Sequence, residues 1–305
     1  MIHRPLRRLI ALPVAALAVA ALLSSCSTVT PSSGAFSVNG VDYPADDFSA
    51  LMEDLASGGQ FQLTNGKINA ADYIPIIRTL VRYEAYRQMS GDFGLEETDA
   101  VRTKVTTDAE ASEGWASFPE SVKKVVVDLG VADAVLATAK VPSQSDLKSL
   151  YEAAPASTGV LCMSHILVET EGDARDVLAR LAAGDKFADV AREVSTEPAA
   201  KDSGGSLGPS ADQPCQTLSG VQAGYDPAFV DGAVAAKPGV PTAPVKTSFG
   251  WHVILVHPFA DVAADVGRVL ADDPGNALLA GWMTTADISV DPRYGTWKPA
   301  RATIE

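Results

Sequence analysis

Apolar positions recur along the chain in three different rhythms. Over residues 9–23 they run almost unbroken, behind His3, Arg4, Arg7 and Arg8. That run is shorter than the roughly 20 apolar residues of a membrane span and stops abruptly, so residues 1–25 read as an export signal. Phe36 to Val41 then reads as a short strand with a turn at Asn39-Gly40. Helical spacing takes over at Phe48, Leu51, Met52 and Leu55, with Pro44 suited to the first turn. Tyr73, Ile76, Ile77, Leu80, Val81 and Glu84 predict a long amphipathic helix. A mainly polar helix is expected over 99–112. Another is expected over 120–139, carrying Val122, Val125, Val126, Leu129, Val135 and Leu136. Pro142-Ser143 punctuates the chain, a short helix starts over 145–151, and 155–159 reads as a linker.

From residue 160 the rhythm changes again. The run 160–169 (VLCMSHILVE) is a strand, and 173–183 and 186–194 are helices separated by Gly184. A glycine-rich loop follows at 204–208, then a helix over 226–236. Strands over 244–247 and 251–256 meet at Phe249-Gly250. The order β-α-α-loop-α-β-β predicts a small antiparallel-type sheet with helices packed on it, an α+β unit. About 100 residues suffice for one such core. After Pro258, residues 262–285 read as one further helix and the remaining tail as irregular.

Export changes how the charge is read. Removing residues 1–25 takes away three arginines and no acids, so the 24 basic residues fall to 21 against 38 acidic, a net of −17. Such a surface excludes nucleic acid and charge-driven binding to an anionic bilayer. Acids such as Asp128 and Asp133 read as solvated faces. Behind Cys26 only Cys162 and Cys215 remain. In an oxidising compartment they are able to pair, which in the chain-entropy model is worth roughly 4 kcal/mol. Sequence leaves pairing and two separate thiols equally open. Cys162 and His165 differ by three along a strand and face opposite ways, so no convergent metal-ligand set forms.

Three groups of residues resemble known families. Leu23-Ser24-Ser25-Cys26 resembles the bacterial lipobox, whose cysteine is acylated and becomes the first residue of the mature chain. This implies a lipid anchor at Cys26 with 26–35 as its tether. Residues 158–257 resemble a parvulin-type rotamase domain. The matching pieces are Ser164-His165-Ile166-Leu167-Val168, Phe187-Ala188-Asp189-Val190-Ala191, Val194-Ser195-Thr196-Glu197-Pro198, the 204–208 glycine loop, Pro227-Ala228-Phe229, Lys237-Pro238-Gly239, and 244–254. Val38-Asn39-Gly40 followed by Asp47-Phe48 resembles the helical chaperone domain of SurA- and PrsA-like foldases, here over 36–157. In that family a C-terminal helix returns to this domain, a role open to a helix within 258–305.

The parvulin resemblance implies a peptidyl-prolyl isomerase for exported, unfolded chains containing X-Pro bonds, with no cofactor. Rotation about a peptide bond faces a barrier of about 18–20 kcal/mol, and catalysis needs only a site that prefers the twisted amide. By the resemblance, His165 and His252 form the paired histidines, Thr247 supplies a neighbouring hydroxyl, and Glu197 stands where the family carries Cys or Asp. Leu207, Tyr225 and Phe229 map onto the proline pocket, and Phe249 onto an aromatic beside Gly250. Two departures stand out: Glu197 is one methylene longer than Asp, and 209–224, which contains Cys215, is longer than the usual continuation. They support a second reading, a holdase that uses a degenerate parvulin domain to bind clients without catalysis.

Overall fold

The structure, a computed structural model, describes residues 34–61 and 68–305. The expected signal 1–25, the lipidation site Cys26 and the tether as far as residue 33 lie outside the described residues. Gly34 and Ala35, expected in the tether, already belong to the first strand. Strands β1 (Gly34–Val38) and β2 (Val41–Pro44) form an antiparallel hairpin closed by Asn39-Gly40, as that dipeptide favours. Four helices follow: α1 (Ala45–Ser57), α2 (Ala70–Asp92), α3 (Asp99–Glu110) and α4 (Glu120–Leu136). Their apolar stripes meet in one core with Phe36, Phe48, Ile77, Met89, Val131 and Leu136. Helix α3 buries no residue fully, which fits its polar sequence. Asp128 does not lie on a solvated face. It is buried, and it holds Arg102 Nη1 at 2.9 Å and Lys124 Nζ at 2.6 Å, because an unpaired carboxylate at that depth would be costly.

Helix α5 (Gln144–Ala153), capped by the Ser143 hydroxyl, leads into strand β3 (Val160–Val168). The connection over 155–159 is not a linker. It is a buried 3-10 turn, with Thr158 wholly enclosed. Gly159 has φ +76°, and a Cβ there would sit 1.9 Å from the carbonyl oxygen of Ala277. Helices α6 (Glu171–Ala182), α7 (Phe187–Val194) and α8 (Pro198–Ser203) come next, α6 starting in a Thr170/Asp173 capping box. The stretch 209–224, left unassigned from sequence, forms strand β4 (Cys215–Thr217) and helix α9 (Leu218–Gly224). Helix α10 (Pro227–Val234) and strands β5 (Val245–Lys246) and β6 (Trp251–Val256) complete a four-stranded antiparallel sheet in the order β4-β3-β6-β5.

One face of this sheet packs on α6 and α7 through Ile166, Val168, Val177, Val190 and Val253. The other face packs on α5, α9, α10 and α11 (Phe259–Leu270) through Tyr151, Met163, Phe229, Ile254 and Val266. The expected single helix over 262–285 is two. Pro274 lacks an N–H and crowds the preceding turn, so α11 ends at Leu270. Helix α12 (Pro274–Trp282) then restarts with Asp273 as its cap. Only the second helix reaches the first core, through Leu278 and Leu279. The tail is not irregular either. Strand β7 (Ile288–Val290) pairs with β1, and β8 (Trp297–Lys298) pairs with β9 (Thr303–Ile304), burying Trp297 and Ile304. Runs of two or three residues are too short to show a period of two.

The Gly159 contact is backbone against backbone and has no side chain to give way. Gly159→Ala is expected to cost about 2 kcal/mol or more, from the left-handed φ and the clash together. Urea unfolding of the variant should show a lowered midpoint. An unchanged midpoint would mean that the α12 contact is not held in solution.

Candidate active site

Register places the two histidines. His165 on β3 lies opposite Ile254 on β6, and Leu167 lies opposite His252. Side chains alternate along a strand, so His165 and His252 share one face as diagonal neighbours. Both are buried. Their Nδ1 atoms are 3.1 Å apart and their rings are nearly parallel, with centroids at 5.3 Å. Backbone holds them too: the His165 N–H donates to the Gly205 carbonyl at 2.8 Å. Gly205 has φ +91°, and a Cβ there would meet the His165 carbonyl oxygen at 2.6 Å, so the loop needs glycine at that point.

The polar chain runs through four side chains. Thr247 Oγ1 lies 2.9 Å from His252 Nε2 and receives the Phe249 N–H at 3.1 Å. At the other end, Glu197 Oε2 lies 2.6 Å from His165 Nε2. Neither atom has another hydrogen-bond partner among the described residues. One proton arrangement fits a carboxylate at that end. Thr247 donates to His252 Nε2, His252 Nδ1–H donates to His165 Nδ1, and His165 Nε2–H faces Glu197. The reverse order would set a bare imidazole lone pair against a carboxylate. Burial lowers the pKa of His165 below its ordinary value, with Glu197 pulling the other way. Burial and the neighbouring His165 lower that of His252 to about 4. Both rings are therefore neutral near pH 7.

Aromatic rings line one side. Phe229 meets His165 and His252 edge-on at 5.8 and 5.2 Å, and Tyr225 stacks on Phe229 at 5.1 Å. Leu207 is part-buried in the loop beside β3, where its N–H donates to the Met163 carbonyl at 3.1 Å. Phe249 stands apart: it is 76 % exposed. The structure thus gathers His165, His252, Thr247, Glu197, Tyr225 and Phe229, sets Leu207 on the adjoining loop, and leaves Phe249 open to solvent. Cys162 and Cys215 lie opposite one another on β3 and β4 and are joined as a disulfide.

Two supporting residues escaped the sequence reading. Asp226 caps α10 and accepts from the Ser248 N–H and hydroxyl, tying the 247–249 turn to the helix that carries Phe229. Burial tends to raise its pKa, but these hydrogen bonds and the nearby His252 lower it overall. Its position before Pro227 is an N-cap signature that could have exposed it. Gln216 on β4 donates to the Leu207 carbonyl and to the Tyr225 hydroxyl, and no local pattern marks it. A third histidine, the half-buried His257, lies outside this chain of contacts, its Nε2 2.9 Å from Ser164 Oγ.

Residues 165–258 match the family model of the PPIC-type PPIASE domain, Rotamase. The foldase protein PrsA of Clostridium kluyveri is 45 % identical over 126 residues, covering 39 % of this chain and 35 % of that one. PrsA of Caldanaerobacter subterraneus is 34 % identical over 142 residues, covering 45 % and 43 %. The chain thus matches well under half the length of these curated relatives. Among solved structures, PrsA from Bacillus subtilis is 20 % identical, covering 83 % of this chain and 92 % of that one, with a TM-score of 0.30. That likeness adds no argument to the geometry above.

Neutral, buried histidines make stability depend on pH. The folded values lie below the ordinary 6.5, so the unfolded chain binds more protons over the interval between them. Their contribution is complete above about 6.5 and is lost as the pH falls toward the folded value, about 4 for His252. The share of His252 is a slope of about 1.4 kcal/mol per pH unit in that window. Unfolding of wild type and His252→Gln should be compared across it, with a shallower decline expected in the variant. Parallel curves would remove His252 from the response.

Proposed function

We propose that this chain is a parvulin-type peptidyl-prolyl cis-trans isomerase that assists the folding of exported polypeptides. The observation that carries the reading is the His165–His252 pair, neutral and buried, with Phe229 edge-on to both rings and Glu197 at the open end. An X-Pro amide that twists loses conjugation. Its nitrogen gains basicity and its carbonyl loses polarity, so a site that favours that state needs apolar walls and a few fixed dipoles. Leu207, Tyr225 and Phe229 supply the apolar wall for the proline ring, and exposed Phe249 forms the rim. The contact between His165 Nε2 and Glu197 Oε2, atoms with no other hydrogen-bond partner among the described residues, is the polar end of the pocket for a bound amide. His252, Thr247 and the disulfide-tied sheet hold His165 in place. No metal or organic cofactor enters this chemistry.

The clients are unfolded chains with X-Pro bonds. The name foldase, carried by the curated relatives, supports this for the rotamase region. The helical half, 36–157, is the chaperone part. A cleft of about 830 Å³ lies between α2, α5 and α12, lined in part by Phe93, Leu95, Val141, Leu150 and Trp282. It favours a second reading in which client holding is the main activity and the rotamase region only binds. A lipid on Cys26 keeps the exported chain at the membrane. Among the described residues no helix is long and apolar enough to cross one.

Peptide isomerisation and proline-limited refolding decide between the readings. His165→Ala, His252→Ala and Leu207→Ala are each expected to lower kcat/KM about tenfold or more, a loss of ~1.4 kcal/mol of transition-state stabilisation. Glu197→Gln, which keeps shape and removes charge, reports whether the carboxylate acts electrostatically. No rate above background in wild type, with aggregation of unfolded chains still suppressed, would leave the holdase. In cells Cys26→Ala should move the protein from the membrane to the soluble fraction, and membrane retention in that variant would sink the lipid anchor.

A further inference from the structure

The stretch between Gly208 and Tyr225 carries one side chain that touches two walls of the same pocket. The Gln216 amide donates to the Leu207 carbonyl and, at 2.8 Å, to the Tyr225 hydroxyl. A carbonyl oxygen only accepts, so the atom that faces Leu207 must be the –NH2 and not the amide oxygen. Leu207 belongs to the glycine loop, and Tyr225 precedes the cap of α10. Among the described residues no other hydrogen bond joins these two segments directly. From Tyr225 the contact continues into Phe229, stacked at 5.1 Å, and from Phe229 edge-on into both histidines.

Gln216 is itself mounted rigidly. The residue before it is bonded through sulfur to Cys162, and its N–H donates to Asp265 Oδ2 at 3.0 Å. The residue after it caps α9, and the Leu218 N–H donates to the Gly159 carbonyl at 2.8 Å. Gln216 pairs with Leu161 on β3, the strand that carries His165. We propose that Gln216 is a positioning residue for the proline pocket, and that the disulfide-anchored strand β4 is the mount that keeps it in place. This rests on the isomerase reading of the site. The amide sets the spacing between Leu207 and Tyr225, and so the width of the slot that receives the proline ring. A slot that grips the ring equally in the planar and twisted states acts on binding, so its loss falls on KM and leaves kcat.

The full chain is titrated with the peptide Ala-Leu-Pro-Phe and followed by NMR, which reads the dissociation constant and the cis–trans exchange rate in one sample. Gln216→Ala and Gln216→Glu are compared with wild type. The glutamate variant keeps the shape but cannot donate to the Leu207 carbonyl when ionised. Both variants are expected to weaken binding about tenfold, or about 1.4 kcal/mol, with exchange at saturating peptide nearly unchanged. Dithiothreitol reduces the disulfide: two electrons and two protons pass to the sulfurs and the reagent closes to its own cyclic disulfide. That should weaken wild-type binding in the same direction and add little to the loss in Gln216→Ala. Wild-type affinity in Gln216→Glu would overturn the proposal, since shape alone would then suffice. A loss confined to the rate at saturation would overturn it as well. If Gln216→Ala fails to fold, the glutamate and reduction arms still decide. Wild type that binds without exchange would sink the isomerase reading while the affinities still judge Gln216. Wild type that does neither overturns both.

Discussion

The antiparallel pairing of β3 with β6 is the constraint on which the site depends. Its register sets His165 and His252 on one face, two residues apart along the ladder. A slip of one residue by either strand would turn that strand's histidine toward α6 and α7 and separate the pair. Burial by that face then removes the histidines' charge, because an imidazolium held there would lose its hydration without a full counter-charge. Neutral rings chain their protons in one direction from Thr247 to Glu197. Strand pairing, desolvation and proton order are therefore consecutive consequences of one alignment.

Around that pair the fold supplies walls from separate parts of the chain. The glycine loop brings Leu207, α10 brings Phe229, and the 247–249 turn is tied back to α10 by Asp226. Each tie is a hydrogen bond worth about 1 kcal/mol net. Their combined effect is rigidity, since the glycine loop is bonded to β3 and the 247–249 turn to α10. The disulfide does the same for β4, a three-residue strand with little pairing of its own.

The two halves of the chain are not joined by a hinge of loose residues. The 3-10 turn over 155–158 is buried, and α12 lies against both it and α2. The last strands return to the first: β7 pairs with β1 across more than 240 intervening residues, and Trp297 and Ile304 enter the first core. The rotamase region is thus an insertion between segments that share one core. Motion of that region relative to the helices would have to disturb backbone contacts at Gly159.

By itself the sequence determined the long helices, the rotamase motif and the identity of the paired histidines. Apolar spacing over ten or more residues is a local signal: α3 and α4 fall within a few residues of where it placed them, and α2 covers the expected stretch and runs eight residues beyond Glu84. The motif residues carried His165, His252, Thr247, Phe229 and Tyr225 to one place because their spacing is tied to the register of two strands. Other features were decided only in three dimensions. Pro274 split a helix that periodicity had run together, and 155–159 became core because α12 packs on it. Strands β4 and β7 to β9 are two or three residues long, and the partners of β4 and β7 lie tens to hundreds of residues away. The Cys162–Cys215 bond, open from sequence, required those two strands to be neighbours. Gln216 acquired its two partners the same way, through tertiary neighbours whose positions no local pattern of residues encodes.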